Sequence, residues 1–276
     1  MNFSSTTRLM RRIRLHSALA VLLCAVLLCL PVSAGRGATV HTPQTPYSWY
    51  CRHMHSHEPP ALDAPLRFTE NYNCYYLDRA ADPSAPVLYL TFDLGYENGN
   101  AEKILDILDR NGVRAAFFVL EHVVTANTDL VRRMAESGHL VCNHTAKHGD
   151  MSRADHDAFL AELHALENVY RDTLGFELAP FYRPPEGKFT EENLQWAQEA
   201  GYSTVFWSFA YADWDNKNQP DPQKAIAKII ENTHNGEILL LHPTSDTNAA
   251  ILETLLQKWT EMGYRFGTLN ELGGRN

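Results

Sequence analysis

The hydrophobic and polar positions repeat one pattern from residue 87 onward: a short apolar run, a few polar residues, an amphipathic segment and a glycine. The short runs are rich in β-branched and aromatic residues and predict strands, whereas apolar positions three and four apart predict helices. The predicted strands span residues 87–92, 115–120, 140–142, 181–183, 203–208, 237–241 and 264–266. The predicted helices span residues 101–110, 129–136, 153–173, 191–200, 222–232 and 249–262.

Strands and helices therefore alternate about seven times, with no second compositional zone. This alternation favours a single α/β barrel-like domain over a doubly wound sheet, although the periodicity alone leaves both architectures open. The domain is predicted at residues 87–272. Residues 35–86 are rich in Pro, His and Tyr without sustained periodicity, and they are predicted to form an N-terminal extension wrapped on that domain.

The strand at residues 87–92 ends abruptly in Asp93, which a glycine-marked turn follows. An acid at the C-terminal end of a strand is a candidate catalytic residue in α/β folds, and the alternative is an Asp that only caps the next helix. In a barrel, the residues that follow the strands converge at one mouth. These residues are Asp93, His144, His148, Arg183, Asp213 and His242.

Several of these residues have the right chemistry for a site. His144 and His148 lie four residues apart and can bind a divalent cation when an acid completes the site. Arg183 precedes two prolines and is suited to hold a carboxylate through a forked pair of hydrogen bonds, unless the segment is a surface turn with a solvated Arg. His242 follows a buried strand and is a candidate general acid if a carboxylate raises its pKa; a structural His is the alternative.

An aromatic run precedes Asp213 and Trp214. Such rings can stack on sugar faces, although a strand core explains the first two better. The run consists of Phe206, Trp207, Phe209 and Tyr211.

Residues 1–34 have the features of a secretory signal. Four Arg precede an apolar stretch at residues 18–32, which is short for a membrane span, and small residues allow cleavage after Ala34. An uncleaved anchor is the alternative. Cleavage would take the formal net charge from −9 to −13, which argues against nucleic acid or anionic membrane as partners. The sequence thus predicts an exported protein that acts outside the cytoplasm or at the cell wall.

Cys24 and Cys29 lie in the predicted signal, so the exported chain would keep Cys51, Cys74 and Cys142. An exported protein with three cysteines can form one disulfide. Cys51 and Cys74 are the expected pair because both lie in the N-terminal extension, whereas Cys142 is expected to pack as a small hydrophobic residue.

His53, His55 and His57 alternate in the same extension. They could bind a metal, but no companion ligand spacing supports this, and an exposed strand or loop face is the favoured interpretation.

Five motifs, taken in order, resemble those of the polysaccharide deacetylase family, carbohydrate esterases of family four with the nodulation-protein type of domain. The motifs are Thr91-Phe92-Asp93-Leu94-Gly95, His144 to His148, Arg183-Pro184-Pro185, Asp213-Trp214 and Leu239-Leu240-Leu241-His242. The resemblance runs from about Asn71 to Leu272 and implies a distorted (β/α)7-type barrel. Segments that look like the delta-lactam-forming branch are Tyr96-Glu97-Asn98-Gly99, Phe206-Trp207-Ser208 and Asn248-Ala249.

The resemblance implies that Asp93 is the general base on a metal-bound water and that Arg183 orients it. His144 and His148, with Asp93, would hold a divalent metal, expected to be zinc. His242 would protonate the leaving amine, and Asp213 would set the charge of that imidazole.

The resemblance also implies substrate contacts. The backbone amide of Glu186 would help to hold the oxyanion, and Trp214 and Tyr96 would bind the glycan. The implied substrate is the acetamide of N-acetylmuramic acid in peptidoglycan glycan strands, whose deacetylation allows the muramic delta-lactam of spore cortex to form. The enzyme would be a monomer, located in the forespore envelope if the host sporulates.

The chain departs from the family pattern at three positions. Leu94 replaces the usual second Asp, or the Asn of the delta-lactam branch, and is expected to face the same mouth as Asp93 without ligating a metal. Gly149 replaces a common Pro, and Glu186 stands where the close branch tends to be basic. The alternatives are therefore a deacetylase of another polymer, such as chitooligosaccharide or acetylxylan, or a carbohydrate-binding homologue that Leu94 has impaired catalytically.

Overall fold

The computed structural model describes residues 45–274. The predicted signal at residues 1–34 and the first part of the extension lie outside the described residues. No helix within residues 45–274 is long and apolar enough to cross a membrane.

The described part of the chain contains a curled parallel sheet that forms a half-barrel. The strands are β1 Tyr47–Ser48, β2 Cys74–Tyr75, β3 Val87–Leu94, β4 Ala116–Val119, β5 Leu140–Asn143, β6 Ala179–Tyr182, β7 Lys188–Phe189, β8 Ser203–Val205, β9 Phe209–Ala210, β10 Glu237–Leu241 and β11 Arg265–Phe266. The sheet order is β2-β8-β6-β5-β4-β3-β10-β9, and β11 also pairs with β3. The predicted barrel-like fold is confirmed, and the doubly wound alternative is wrong.

Helices cover the outer face of this sheet. They are α1 Asn100–Arg110, α2 Glu121–Ala126, α3 Thr128–Glu136, α4 His156–Leu174, α5 Glu191–Glu199, α6 Pro222–Asn232 and α7 Asp246–Glu261. The helix α6 begins and ends as predicted, and α2 is a short helix that the periodicity did not indicate.

Strand β3 lies in the interior of the sheet and divides its side chains between two cores. Because successive side chains of a strand point to opposite faces, alternate residues pack against the helices or face the barrel interior. The helix-facing residues are Leu88, Leu90, Phe92 and Leu94. Val87 and Tyr89 belong to the interior cluster, and Thr91 and Asp93 continue that face toward the end of the strand.

The N-terminal extension packs on the barrel through Trp49. Its ring stacks on Phe206 with centroids 4.2 Å apart, and its indole N–H donates to the carbonyl of Trp207 at 2.9 Å. Its backbone N–H donates to the carbonyl of Gly187 at 2.8 Å, next to the β1–β7 pairing. The extension thus holds down the loop between β6 and β7.

The three alternating histidines of the extension lie in a loop, and His55 contacts the side chains of Asn232 and Glu231. His53 and His57 each place a ring nitrogen within hydrogen-bond distance of a carbonyl, that of Ala210 at 2.9 Å and that of Thr233 at 2.8 Å. Residues 45–274 contain no group of three or more His, Cys, Asp or Glu side chains placed to hold a metal ion. These contacts give the histidines a structural explanation.

The predicted disulfide between Cys51 and Cys74 is wrong: both residues are free thiols in the structure, as is Cys142. The two side chains have different neighbours. Cys51 lies beside the backbone of Ala210, whereas Cys74 is in β2 opposite Thr204 of β8. Cys142 is fully buried in the interior core, as its apolar surroundings in the sequence predicted.

Candidate active site

A cavity of about 600 Å³ opens at the C-terminal ends of the strands. Polar candidates from separate strands meet there, as the barrel geometry predicted. The lining residues are Asp93, Gly95, His144, His148, Glu186, Trp207, Ala210, Tyr211, Trp214, Leu240 and His242. Arg183 and Asp213 lie behind the lining, each in contact with one of these residues.

Arg183 follows β6 and is fully buried beneath Asp93. Its Nη1 donates to Asp93 Oδ1 at 2.7 Å, and its Nη2 donates to the hydroxyl of Thr91 at 2.8 Å. The expected fork on one carboxylate is therefore replaced by a single bond to Asp93. The remaining donors satisfy buried acceptors: Nε donates to the carbonyl of Val205 at 2.9 Å, and the guanidinium lies 4.1 Å from the ring centroid of Phe118.

His144 follows β5 and is oriented by the backbone of Arg183. Its Nδ1 lies 2.9 Å from the Arg183 carbonyl oxygen, which can only accept, so Nδ1 carries the proton. Nε2 is then unprotonated, and its lone pair points away from that bond. The Nε2 atom lies 3.6 Å from Asp93 Oδ2. An imidazole held in this way by a carbonyl is typical of metal-ligating histidines.

His148 lies beside His144, with ring centroids 4.9 Å apart. The connecting turn is tight, because Thr145 and His148 both have left-handed backbone angles, with φ of 70° and 58°. The Thr145 hydroxyl accepts from the N–H of His148 at 3.0 Å and stabilises this turn. Two imidazoles and the Asp93 carboxylate are donor types that suit zinc. Within residues 45–274, however, no group of three or more His, Cys, Asp or Glu side chains is placed to hold a metal ion.

His242 follows β10 and is bonded to Asp213. The ring Nδ1 lies 2.7 Å from Asp213 Oδ1, and the backbone N–H of His242 donates to Oδ2 at 2.8 Å. Asn248 donates to the same Oδ2 at 2.6 Å and also accepts a hydrogen bond from Tyr211. Because Nδ1 faces the carboxylate, Nε2 is the ring nitrogen that can exchange a proton in the cavity.

The charges of the site follow from these contacts. Burial alone would raise the pKa of Asp93, but Arg183, His144 and His242 together hold it below its ordinary value. Burial would lower the pKa of His242, but the hydrogen bond and charge of Asp213 raise it above its ordinary value. Burial lowers the pKa of His144 to about 4, so that ring is neutral near pH 7.

Leu94 does not face the cavity, contrary to the sequence prediction. It is fully buried in the core between sheet and helices, on the same face of β3 as Phe92. The strand continues through residue 94, so its alternation turns this side chain away from Asp93. A carboxylate at position 94 would lie in an apolar core in this backbone.

Two of the three predicted substrate-contact residues line the cavity. Glu186 lines it and has a left-handed backbone, with φ of 55°. Trp214 lines it with a ring that is 59% exposed and lies 6.0 Å from the ring of His242. Tyr96 is exposed and accepts a hydrogen bond from Asn216, but it lies outside the lining.

Three neighbours of the site carry no role in the sequence prediction. Asn248 holds Asp213, Thr91 accepts from Arg183, and Trp207, predicted as strand core, lines the cavity. Thr91 lies two residues before Asp93, and the period of the strand could have placed it on the same face.

A family model described as polysaccharide deacetylase matches residues 80–205. An uncharacterised 30.6 kDa protein of Geobacillus stearothermophilus is 37% identical over 252 residues, which cover 91% of this chain and 94% of that protein. The chain belongs to the polysaccharide deacetylase family. Members of this family are hydrolases and are generally metal-dependent.

Other polysaccharide deacetylases of known structure share this fold. The peptidoglycan-N-acetylmuramic acid deacetylase PdaA of Bacillus subtilis (strain 168) is 34% identical over 253 residues, which cover 91% of this chain and 95% of PdaA. The solved structure of Bacillus subtilis PdaA, a family 4 carbohydrate esterase, matches with a TM-score of 0.79 and covers 84% of this chain and 98% of that one.

Proposed function

We propose that this polysaccharide deacetylase is an exported peptidoglycan de-N-acetylase that hydrolyses the acetamide of N-acetylmuramic acid. Two hydrogen-bonded charge pairs meet at one cavity, Arg183 with Asp93 and His242 with Asp213. This is the observation that supports the proposal best. The similarity to PdaA along nearly the whole of both chains supports the choice of sugar. The proposal includes a role before muramic delta-lactam formation in spore cortex, in the forespore envelope of a sporulating host.

Asp93 is the proposed general base. Its lowered pKa keeps it ionised near pH 7, and Arg183 engages Oδ1, so Oδ2 can take a proton from the attacking water. The water oxygen bonds to the acetamide carbon, and the carbonyl oxygen becomes an oxyanion. The N–H of Glu186, whose left-handed backbone turns the loop at the cavity, is the proposed oxyanion donor.

His242 is the proposed general acid. Its raised pKa keeps a proton available, and Asp213 fixes the ring through Nδ1, so Nε2 gives the proton to the departing nitrogen. The carbon–nitrogen bond breaks, and acetate and the sugar amine leave. The roles are thus divided because the two environments push the two groups toward opposite protonation states.

His144, His148 and Asp93 are the proposed ligands of a divalent cation, with zinc the expected ion. A bound zinc would supply Lewis acidity toward the acetamide carbonyl and would acidify the attacking water. His144 is already oriented for this by the carbonyl of Arg183. Trp214 and Tyr96 are the proposed aromatic contacts for the neighbouring sugars, since both rings are exposed beside the mouth.

A carbohydrate-binding homologue without catalysis is the second candidate. One observation favours it: the described residues hold no closed group of three metal donors, and residue 94 supplies none. Turnover and metal dependence separate the two candidates.

The test is release of free amine from purified glycan strands with and without stem peptides, compared with chitin oligomers and acetylxylan. Each substrate is assayed with added zinc and with chelator, and Asp93→Asn is the inactive control. We expect zinc-dependent amine release from peptidoglycan strands. Turnover of chitin oligomers or acetylxylan alone would move the assignment to another polymer, and glycan binding without turnover would favour the second candidate.

A further inference from the structure

The carboxylate of Asp213 is held by more than its contact with the imidazole of His242. Its Oδ1 lies 2.7 Å from His242 Nδ1, whereas its Oδ2 accepts from the backbone N–H of His242 at 2.8 Å and from Nδ2 of Asn248 at 2.6 Å. Asp213 and Asn248 are both buried, where hydrogen bonds are strengthened by the low dielectric. The two oxygens thus have different partners, and Asn248 helps to fix the rotation of the carboxylate.

Asn248 lies in the first turn of helix α7, and the orientation of its side-chain amide is determined by its neighbours. Its backbone N–H donates to the hydroxyl of Ser245 at 3.1 Å, which caps the helix. Its Nδ2 donates to Asp213 and also to the carbonyl of His242 at 3.0 Å. Because a carboxylate and a carbonyl can only accept, the amide nitrogen must face them. The amide oxygen of Asn248 therefore points to the other side, toward Tyr211.

Tyr211 follows strand β9 and meets this oxygen. Its hydroxyl donates to Asn248 Oδ1, and its side chain also lines the cavity. Burial and the charge of Asp213 raise the pKa of Tyr211, so the hydroxyl keeps its proton and acts as the donor. The hydrogen bonds thus run in one direction, from Tyr211 to Asn248 and from Asn248 to Asp213.

The orientation of the acid depends on this arrangement. The imidazole of His242 is held through Nδ1 by Asp213 Oδ1, so a rotation of the carboxylate would turn Nε2 relative to the departing nitrogen. A misplacement of about 1 Å at a reacting group can cost about 10²-fold in rate. Tyr211 and Asn248 are neutral, and neither is a proposed metal ligand, so their effect is on orientation and not on the charge of the cavity.

We propose that Asn248 and Tyr211 are positioning residues of the general acid and that they act as one unit, in which the Tyr211 hydroxyl orients Asn248 and Asn248 orients Asp213. This role rests on the proposed function, in which His242 protonates the departing amine. It concerns how the acid is held and not which glycan is bound.

The test is a double-mutant cycle of Tyr211→Phe and Asn248→Ala, assayed by amine release from the accepted glycan. Asn248→Ala should lower kcat about tenfold, because a buried hydrogen bond to a charged group is lost, and Tyr211→Phe should lower it about threefold. The double variant should be no slower than Asn248→Ala, because the hydroxyl acts through an amide that is already absent. KM should stay within about twofold of the wild-type value in all three variants.

A second readout separates positioning from a loss of folded enzyme. The solvent deuterium isotope effect on kcat should increase in both single variants, because proton transfer from a misaligned His242 becomes slower relative to the other steps. A smaller fraction of active protein would lower kcat without changing this ratio. Tyr170→Phe is the matched control, since Tyr170 of α4 is buried in the same helix-facing core as Tyr211 but is not part of the cavity lining. It should retain the wild-type kcat and isotope effect.

The outcomes separate this inference from the proposed function. Tyr211→Phe removes only a hydroxyl, so it keeps the test decisive if Asn248→Ala does not fold. A wild-type kcat and isotope effect in Tyr211→Phe would overturn the inference. A double variant that is slowed by the product of the single effects, about 30-fold, would also overturn it, since Tyr211 would then act independently of Asn248. No amine release from any glycan by the wild type would instead overturn the proposed function, on which this role depends.

Discussion

Arg183 Nη1 bonds Asp93 Oδ1 at 2.7 Å, and the carbonyl of the same arginine accepts from His144. One fully buried residue thus fixes both the proposed base and a proposed metal ligand. Burial alone would raise the pKa of the Asp93 carboxylate, and the Arg183 guanidinium compensates its negative charge. The orientation of the site therefore depends on Arg183 as much as on the residues that line the cavity.

Asp93→Asn should reduce kcat/KM for amine release by about 10²–10⁴-fold, because the amide cannot accept the proton of the attacking water. Steady-state assays on the accepted glycan measure the loss. The matched control is Asp157→Asn, whose carboxylate is 99% exposed on α4, and it should retain wild-type activity. Near-full activity in the Asp93 variant would show that another group is the base.

Arg183→Met should lower the free energy of unfolding by about 3–5 kcal/mol, because it leaves the Asp93 carboxylate buried without its partner. The double variant Arg183→Met with Asp93→Asn should recover at least about 1 kcal/mol of that loss, since no buried charge remains. Urea unfolding of the wild type, both single variants and the double variant measures this. Simple additivity of the two changes would contradict the coupling inferred from the 2.7 Å contact.

Asp213→Asn should move the alkaline limb of the kcat/KM profile to lower pH. His242 must be protonated to act as the acid, so activity is full below its pKa and falls as pH rises through it. Asp213 raises that pKa, and its neutralisation removes the rise. Asp172→Asn, 78% exposed, is the control. An alkaline limb that stays in place would mean that a group other than His242 determines it.

Leu94→Asp should destabilise the fold and leave zinc affinity unchanged. The side chain lies in the helix-facing core with Phe92, so a new carboxylate would be desolvated there. Leu94→Ala should lower the free energy of unfolding by about 2–5 kcal/mol. We expect Leu94→Asp to lower the Tm further than Leu94→Ala does. Thermal unfolding and calorimetric zinc titration are the measurements. Tighter zinc binding in the Asp variant would show that residue 94 reaches the cavity.

Cys51, Cys74 and Cys142 should each be modified by an alkylating reagent in unfolding buffer without reductant, because all three are free thiols. In the folded protein the reaction should be slow. Burial raises the pKa of Cys51 to about 12 and raises that of the other two as well, so little thiolate forms. Mass mapping of the peptides decides the matter, and a peptide pair that joins Cys51 to Cys74 would contradict the structure.

The sequence predicted most strands and helices of the barrel, because its apolar periodicity is strong and short-ranged. The predicted strand at residues 203–208 is wrong at its end: β8 stops at Val205, and a separate strand, β9, begins at Phe209. Glycines that follow helices have the left-handed backbone that ends a helix: Gly112 and Gly263, for example, have φ of 65° and 86°. Thr190 caps α5, and the bonds of its capping box are formed. Convergence of Asp93 and His242 also followed from the order of parallel strands.

Side-chain direction at strand ends could not be predicted in the same way. The apolar pattern predicted a strand that ends at residue 92, whereas β3 continues to Leu94 and its alternation turns that residue toward the helices. The neighbours of Cys51 could not be predicted either, because Ala210, which it contacts, is distant from it in the sequence. Such contacts depend on how the extension folds over the barrel, which no local pattern encodes.

The N-terminal extension has a practical consequence for anyone who wishes to shorten this protein. The family match begins at residue 80, and a fragment cut there would keep every proposed catalytic residue. It would lose Trp49, which covers Gly187 so closely that a Cβ on that glycine would lie 3.0 Å from the Trp49 Cβ. It would also lose β2, which forms one edge of the sheet beside β8. Such a fragment would expose Phe206 to water and free the loop that carries Glu186, so a minimal soluble enzyme must begin before residue 47.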